Sequence, residues 1–507
     1  TGIAAIVAIV VMVFQFMYEI DAPFNIVTPP TYTSKSEFEK GNLAGKAGVV
    51  LMVNQSGVSG KGTTIPPITA RPNIIVIMTD DQDFRTMEET VLGGKKVLQH
   101  IDAHLVQQGT TFDNFFSSLS LCCPSRATFL SGQYAHNHGV LGNTPPSGGY
   151  AKFDHSNSLP LWLESSGYHT AHIGKYLNGY GIEDASTVPG SPPYEIPPGW
   201  SEWYGGVDPS TYKMYDYTLN ENGTLVTYGT STADYQTDVY AAKAVDFIRR
   251  RANVSSQQPF FLSLAFLAPH SEGFHLVNNP RAAPRHEGRF QNRPLPTPPS
   301  FNEIDISDKP RSIHILPLMG KPVTQIVTGY YRDRLESLLA VDEAVDAIVK
   351  ELAAQNILDD TIIVFTSDNG WMSGEHRIPM GKGFLYEESV KVPLIIRDPR
   401  IPAQQSISEL AVNVDLAPTI VEWAGAGLFV GRTMDGKSLV PVLNGFAAGW
   451  RDSLLLEGPD DNSGTAVPLY GAVRTQRYVY GERQTGEVEF YDLLNDPYEL
   501  QSQHKSN

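Results

Sequence analysis

The residues best suited to covalent chemistry in this chain are Cys122 and Cys123, which are its only two cysteines among 507 residues and are adjacent. A disulfide framework needs several cysteines spread along a chain, and adjacent cysteines bridge only in a strained, rare ring. We therefore interpret both as free thiols. They are either small apolar side chains buried beside a turn or, given the Pro124-Ser125-Arg126 that follows, members of a reactive site.

Three strongly apolar segments each end in polar residues, which is typical of buried strands in a parallel sheet. The segments are 73–78, 260–267 and 361–365. Because the carboxyl ends of parallel strands share one edge of an open α/β sheet, residues that follow these segments are expected to converge there. That edge is the predicted position of the site.

The polar residues after two of these segments carry oxygen donors. Asp80 and Asp81 follow the first segment, and Asp368 and Asn369 follow the last. Such donors suit Ca²⁺ or, less well, Mg²⁺, whereas a zinc site normally contains His or Cys. A helix N-cap with a first-turn acid would explain one acid of the first pair, but not both pairs together.

Residues 122–132 resemble the signature of the formylglycine-dependent sulfatases, which is Cys-x-Pro-Ser-Arg, three residues, Leu or Phe, Thr or Ser, and Gly. The resemblance implies that a maturation enzyme oxidises Cys122 to formylglycine, an aldehyde whose hydrate is the nucleophile. It also implies that Asp80, Asp81, Asp368 and Asn369 hold a divalent ion together with the modified Cys122.

Three basic residues stand where this family binds the anionic sulfate ester: Arg126, Lys175 and Lys382. Cations aimed at the ester oxygens stabilise the charge of the transferred group. Taken alone, each lysine would be interpreted as solvated surface. The resemblance assigns Lys175 and Lys382 to the sulfate and Arg126 to the oxygen of the Cys122 hydrate.

His270, which follows the segment 260–267, is the candidate general acid for the leaving group, because imidazole titrates near neutral pH. On its own it would be a structural histidine. Many sulfatases have a second histidine two residues after the first lysine, where this chain has Leu177. The run 174–178 instead resembles the branch of N-acetylglucosamine-6-sulfatases and heparan endosulfatases. His136, His138 and His376 are interpreted as structural or supporting residues.

The implied fold is α/β, an alkaline-phosphatase-like α/β/α sandwich with a smaller C-terminal subdomain that contains an antiparallel sheet. We expect a sulfatase catalytic domain over residues 70–425 and the subdomain over 426–507. Apolar spacing between residues 332 and 352 predicts an amphipathic helix, which Asp342 interrupts. Residues 271–325 predict a long loop excursion that shapes the substrate pocket.

The apolar start of the chain favours a truncated signal peptide or signal-anchor at residues 1–20 over a buried helix. Residues 21–69 are rich in Gly, Ser, Thr and Pro and predict a linker or wrapping arm. Sequons at Asn54, Asn222 and Asn253 agree with a secreted or endomembrane protein, whether extracellular, lysosomal or periplasmic. Membrane contact is expected only if the first segment stays as an anchor.

The predicted function is hydrolysis of sulfate monoesters of aryl or sugar substrates. The net charge of −17 indicates no nucleic-acid partner and favours small esters or chain ends over long polyanions. Two alternatives stay open at this point. One is a phosphatase or phosphodiesterase of the same superfamily, which would use Ser or Thr and several histidine ligands. The other is a catalytically silent, glycan-binding homologue in which Cys122 is never oxidised.

Overall fold

The computed structural model describes residues 71–91, 94–182, 184–185, 188–189, 191–254, 258–273, 279–403, 405–460 and 469–504. Residues 71–507 form one compact unit. The predicted signal segment at 1–20 and linker at 21–69 lie outside the described residues. Among the described residues, no helix combines the length and apolar character needed to cross a bilayer.

A ten-stranded mixed sheet forms the centre of this unit, in the order β13-β2-β12-β11-β1-β10-β4-β7-β8-β9. Its strands are β1 (Asn73–Thr79), β2 (Thr110–Phe112), β4 (His169–Gly174), β7 (Glu202–Gly206), β8 (Tyr217–Glu221), β9 (Thr224–Tyr228), β10 (Phe260–Ala265), β11 (Thr361–Ser367), β12 (Leu394–Arg397) and β13 (Gln405–Ile407). The strands β11, β1, β10, β4 and β7 are parallel neighbours. The three apolar segments of the sequence are thus adjacent parallel strands, as predicted.

Smaller strand pairs and a second sheet complete the β-structure. The pairs are β3 (Phe115–Phe116) with β14 (Ala411–Val412), and β5 (Asp184–Ala185) with β6 (Val188–Pro189). The second sheet is antiparallel and consists of β15 (Ser453–Glu457), β16 (Tyr470–Thr475), β17 (Tyr478–Arg483) and β18 (Val488–Asp492). The predicted C-terminal antiparallel sheet is therefore present, whereas the domain boundary at residue 425 stays a prediction.

Helices cover both faces of the central sheet. They are α1 (Gln99–Ile101), α2 (Cys122–Ser131), α3 (Ala135–His138), α4 (Leu159–Ser165), α5 (Gln236–Ala252), α6 (Arg311–His314), α7 (Lys321–Ala354), α8 (Glu387–Val390), α9 (Leu416–Ala424) and α10 (Val440–Leu443). A π-helical turn, Asp102–Val106, continues α1. Short 3-10 turns lie at Phe84–Met87, Tyr150–Lys152, Ser210–Tyr212, Thr232–Asp234, Leu358–Asp360 and Asn413–Asp415.

Alternate residues of β1 face two separate apolar cores, because successive side chains of a strand point to opposite faces. Ile75 and Ile77 belong to a core that includes Phe247 of α5 and Leu338 of α7. Ile74 and Val76 belong to the other core, which also contains residues of α2, α4 and α9. Helices on both faces of one sheet make the predicted three-layer α/β/α sandwich.

The long helix α7 starts at Lys321, eleven residues before the predicted start at residue 332. Pro322 lies in its first turn, where proline costs no helical hydrogen bond. Asp342, which interrupts the apolar face of this helix, is buried with its hydrogen bonds satisfied. Its carboxylate accepts hydrogen bonds of 2.8–3.0 Å from the backbone N–H groups of His100 and Ile101. The predicted excursion 271–325 ends earlier than expected, because α7 begins at Lys321; among the described residues of 271–320, only the short α6 is helical and no strand forms.

Candidate active site

The candidate site residues identified in the sequence meet at the carboxyl edge of the central sheet, and we call this group the edge site. Its members are Asp80, Asp81, Cys122, Arg126, Lys175, His270, Asp368, Asn369 and Lys382. β1, β10, β11 and β4 supply the residues that follow their ends, and α2 supplies two more. All members are buried or nearly buried.

Cys122 starts α2, and its position follows from the local sequence. Pro124 is compatible with the first turn of a helix, and Gly132 ends the helix at φ 66°, a left-handed conformation that glycine adopts without strain. Cys122 Sγ lies 3.4 Å from Asp80 Oδ1 and 2.7 Å from Lys382 Nζ. The first residue of the helix therefore faces both an acid and a cation.

Neither cysteine is a thiolate in this environment. Burial and then the negative charge of Asp80 raise the pKa of Cys122 to about 12. Burial likewise raises the pKa of Cys123 to about 12. Since a cysteine nucleophile reacts as its thiolate, the unmodified thiols are poorly suited to nucleophilic catalysis near neutral pH.

Arg126 lies one turn after Cys122 and joins three parts of the site. Its Nε donates to Asp368 Oδ2 at 2.8 Å, its Nη2 donates to Asp80 Oδ2 at 3.2 Å, and its Nη1 donates to the carbonyl of Lys175 at 2.7 Å. The guanidinium thus orients two carboxylates. Its role toward the oxygen of the Cys122 hydrate stays a prediction, and its hydrogen bonds in the structure run to the acids beside Cys122.

The two lysines sit against the first acid pair. Lys175 Nζ donates to Asp80, and Lys382 Nζ donates to Asp81. Burial disfavours the charged form of Asp80, but Lys175, His270, Arg126 and Lys382 outweigh it and hold the Asp80 pKa well below its usual range. Burial acts against the charged lysines, but Asp80 and Asp81 outweigh it and raise the pKa of Lys175 and Lys382, so both lysines stay charged at neutral pH.

The Asp81 carboxylate has one oxygen that is placed to bind a cation. Its backbone is left-handed at φ 66°, and its Oδ2 is buried without a hydrogen-bond partner. Asn369 Nδ2 and the Lys382 ammonium occupy Oδ1. Ligand atoms of Asp80, Asp81, Cys122 and His270 all lie within 4.8 Å of one another. The orphaned oxygen of Asp81, beside the carboxylates of Asp80 and Asp368, is a hard donor of the kind that Ca²⁺ takes, whereas the Cys122 thiol and the His270 imidazole are softer donors.

His270 follows β10 and faces this cluster. Its Nδ1 donates to the carbonyl of Ser271 at 2.7 Å, which leaves Nε2 directed at Asp81 Oδ2, 3.6 Å away. Burial lowers the pKa of His270, and the carboxylates of Asp81 and Asp80 oppose that effect. The ring orientation is fixed by one backbone contact, as a proton-transfer group requires.

Tyr212 is a site residue that the sequence did not identify as functional. Its ring centroid lies 4.5 Å from Lys175 Nζ and 5.2 Å from the ring of His270, and its hydroxyl accepts a hydrogen bond of 2.7 Å from Asn178 Nδ2. It therefore holds the lysine and the histidine in place. No motif in the sequence points to this contact.

Asp208 is a second residue that was missed. It is buried, and its Oδ2 accepts a 2.6 Å hydrogen bond from the backbone N–H of Gly179. Burial raises the pKa of Asp208 to about 6, although Lys175 and Arg126 act in the opposite direction. Shifted pKa values of this kind are common near functional sites. Because the shift of Asp208 depends on its burial in the folded protein, no sequence pattern identifies it.

The three unassigned histidines lie in supporting contacts. His138 Nε2 bonds to Thr128 Oγ1 at 3.0 Å and its Nδ1 accepts from the Val140 N–H at 3.1 Å. His136 pairs with Glu457 at 2.8 Å. His376 is buried and bonds to Glu303. None of these contacts involves a member of the edge site.

Comparison with known families gives two matches along this chain. The family model described as Sulfatase matches residues 72–426, and the model described as N-sulphoglucosamine sulphohydrolase, C-terminal, matches residues 374–507.

Named relatives and a solved structure agree with the family match. An N-acetylglucosamine-6-sulfatase of Homo sapiens is 39% identical, with 85% of this chain and 80% of that protein covered. An arylsulfatase of Volvox carteri is 34% identical, with 85% and 71% covered. A structure of a protein in complex with its substrate D-glucosamine-2-N,6-O-disulfate superposes with a TM-score of 0.70 and 28% identity, covering 86% of this chain and 94% of that one.

Proposed function

The chain belongs to the sulfatase family and is a sulfate ester hydrolase, and we propose that it removes the 6-sulfate of a small glucosamine-type sugar at the edge site. The match covers residues 72–426, which include every member of the edge site. The nucleophile, the metal ion and the sugar are parts of this proposal.

The observation that carries the proposal is the environment of Cys122. Its side chain lies at the start of a buried helix, in contact with Asp80 and Lys382 and among the residues best suited to bind a divalent cation. A protonated thiol has no evident use there. Oxidation of Cys122 to formylglycine would supply an aldehyde hydrate, whose hydroxyl is a nucleophile for the sulfur of the ester.

A divalent cation held by Asp80, Asp81, Asp368 and Asn369 would supply Lewis-acid stabilisation of the sulfuryl oxygens. Calcium is the preferred ion because these four side chains offer oxygen donors, and magnesium is less suited. Arg126 supports the acids by holding Asp80 and Asp368 in fixed orientations.

The chain's own cations bind the substrate in this proposal. Lys175 and Lys382 contact Asp80 and Asp81 of the edge site. When a sulfate ester binds, each lysine would contact an ester oxygen in place of a carboxylate oxygen. His270 acts from its imidazolium form in this proposal: the Nδ1 proton stays on the Ser271 carbonyl, the Nε2 proton goes to the leaving oxygen of the sugar, and the ring is left neutral. Tyr212 keeps Lys175 and His270 at a constant spacing.

The choice of a 6-sulfated glucosamine rests on the relatives and on charge. An N-acetylglucosamine-6-sulfatase is among the similar proteins, and the similar structure holds a glucosamine disulfate as its substrate. The net charge of −17 disfavours a long polyanion at low salt. A small sugar or a chain end therefore fits better than the interior of a heparan chain.

The same proposal includes an extracellular, lysosomal or periplasmic location and maturation by a formylglycine-generating enzyme. Two sequon asparagines, Asn222 and Asn253, are exposed, as glycosylation requires. Partners are then limited to the sulfated substrate and the maturation enzyme.

Mass spectrometry of the tryptic peptide that spans Cys122 tests the nucleophile. Protein made in its natural type of host, or with a formylglycine-generating enzyme, should carry the aldehyde at Cys122 and an unmodified Cys123. The matched activity assay uses glucosamine-6-sulfate and the corresponding phosphate ester. An unmodified Cys122 in fully active protein, or preference for the phosphate ester, would contradict the proposal.

Metal analysis tests the ion separately. Asp368→Ala removes a carboxylate that contacts Arg126 and the backbone of Asp81, so we expect loss of bound calcium and of turnover together. Asp359→Ala, an exposed acid after α7, is the control and should keep both. Active protein that contains no calcium or magnesium, and that loses zinc on Asp368→Ala, would overturn the choice of ion.

A further inference from the structure

A second group of ionisable residues, His376, Glu388 and Glu499, lies outside the edge site, and we call it the tail cluster. One ligand atom from each residue lies within 4.8 Å of the others. The three residues are 0%, 4% and 1% exposed, so the group is closed to solvent. His376 follows β11, Glu388 lies on α8, and Glu499 lies in the turn after β18.

Two atoms of the tail cluster are buried without any hydrogen-bond partner. They are His376 Nε2 and Glu499 Oε1. A buried polar atom that makes no hydrogen bond is destabilising, so two of them in one closed group call for a ligand.

Hydrogen bonds to residues outside the tail cluster orient His376 and Glu499 toward such a ligand. His376 Nδ1 donates to Glu303 Oε2 at 2.7 Å, which places the lone pair of the neutral ring on Nε2. Glu499 Oε2 accepts a 3.1 Å hydrogen bond from the Glu387 N–H, which leaves Oε1 for the centre of the group. A carboxylate behind a histidine is the usual support of a metal-binding imidazole.

Charge balance and backbone conformation agree with a bound cation. Arg85 pairs with Glu388, but the same guanidinium also pairs with Glu375, so one cation serves two carboxylates. No lysine, arginine or histidine pairs with Glu499 among the ion pairs of the described residues. His376 and Glu499 both hold left-handed backbone conformations, at φ 52° and 55°, which side-chain-bearing residues keep only where the surroundings impose them.

We propose that His376, Glu388 and Glu499 form a buried structural zinc site, separate from the edge site. One imidazole nitrogen and two carboxylate oxygens are a donor set that zinc accepts, whereas calcium and magnesium favour oxygen alone. The ion would fasten the turn after β18 to the body of the protein. It would also close the two ends of the segment 376–388, which carries Lys382.

The test is the zinc content of the purified full chain and of four variants. Glu499→Gln and His376→Gln remove ligands. Glu375→Gln is the matched control, because Glu375 is equally buried and paired with Arg85 but is not a ligand. Asp368→Ala removes an edge-site acid and separates the two metal sites.

We expect about one zinc ion per chain in the wild type, in Glu375→Gln and in Asp368→Ala, and at least tenfold less in the two ligand variants. A zinc-selective chelator, used with calcium in excess, should lower the Tm of the wild type, and added zinc should restore it. The last measurement needs no variant, so it remains decisive if a ligand variant fails to fold.

Three results would overturn the zinc site. The first is a wild-type protein that takes up no zinc and whose Tm does not respond to zinc. The second is zinc content in Glu499→Gln equal to that in Glu375→Gln. The third is a raised Tm in Glu499→Gln without bound zinc, which would mean that Glu388 and Glu499 share a proton. None of these results bears on sulfate ester hydrolysis at the edge site.

Discussion

Cys122 and Cys123 are adjacent in the chain, and their side chains have different surroundings. The sulfur of Cys122 faces Asp80 and Lys382, whereas Cys123 belongs to the apolar core beneath α2. Successive side chains of an α-helix point about 100° apart around the helix axis. Adjacent residues can therefore face different surroundings, here the site and the core.

This difference predicts unequal effects of two small substitutions. Cys122→Ala should reduce turnover of an aryl sulfate to background, because the nucleophile would be lost. Cys123→Ala should keep most activity and lose about 1–2 kcal/mol of stability from the small cavity. Parallel rate assays and urea unfolding measure the two effects. Equal loss of activity in both variants would remove Cys122 from its assigned role.

Asp208 predicts a pH dependence of stability. Its pKa is about 6 in the folded protein against an ordinary value of 3.8, with burial as the main cause. Between pH 3.8 and pH 6 the folded state binds more protons than the unfolded state. The stabilisation that protonated Asp208 gives the folded state is therefore fully present below pH 3.8 and is lost as the pH rises through 6. The loss amounts to about 3 kcal/mol.

Asp208→Asn should remove that loss, because the amide oxygen still accepts from the Gly179 N–H and never ionises. The unfolding free energy of the variant relative to the wild type should therefore increase between pH 4 and pH 7. Urea unfolding at several pH values measures it, with the exposed Asp216 changed to Asn as the control. A constant difference across this range would show that Asp208 does not titrate there.

At the scale of elements, α7 is linked to α1 through one carboxylate. Asp342 of α7 accepts from the first N–H groups of α1, which no helical carbonyl can satisfy. Asp342 thus acts as a cap supplied from another helix.

Asp342→Ala should lower the unfolding free energy by about 1–3 kcal/mol, because buried N–H donors of His100 and Ile101 would lose their acceptor. Asp342→Asn keeps one acceptor oxygen and should cost less. Asp359→Ala, at a side chain that is 93% exposed, is the control and should change little. Denaturant unfolding measures all three, and a neutral result for Asp342→Ala would mean that water replaces the carboxylate.

The elements that could be predicted from the sequence are those with strong local patterns. β1, β10 and β11 are uninterrupted apolar runs, and the centre of α7 has clear helical spacing. The first turns of α7 were missed because Thr324, Thr328 and Gly329 break the apolar pattern. The short strands β12 and β13 were missed because they carry too few residues to show a period.

The site could be predicted where a motif or a strand end marked it, and not where only tertiary packing brings a residue in. Asp80 and Asp368 follow β1 and β11, so their convergence follows from sheet geometry. Tyr212 reaches Lys175 from a 3-10 turn that no pattern marks. Asp208 shows its raised pKa only once its burial is known.

At the scale of the whole molecule, the three cations of the edge site, each paired with a carboxylate, lie in a protein of net charge −17. Lys175, Lys382 and Arg126 attract a single sulfate at short range, while the overall charge opposes a polysulfated chain at longer range. Salt screens the long-range effect more strongly than the contacts inside a buried pocket.

We therefore expect a higher kcat/KM on a monosulfated sugar or aryl sulfate than on intact heparan sulfate at low ionic strength. The gap should narrow as salt rises, because repulsion from the protein surface is screened. Steady-state rates across a salt series measure it, with a neutral-salt control for protein stability. Internal desulfation of long chains that is fastest at low salt would indicate a basic groove instead.

The central sheet ends at β9, and no strand of the described residues pairs with its outer side. Such an open edge is a template for association with another chain. The turn from β8 to β9 contains the exposed sequon Asn222-Gly223-Thr224. A glycan on Asn222 would stand beside this edge as a steric barrier. Protein produced in a host that does not glycosylate would have a bare edge, so its solubility at high concentration should depend on the expression system.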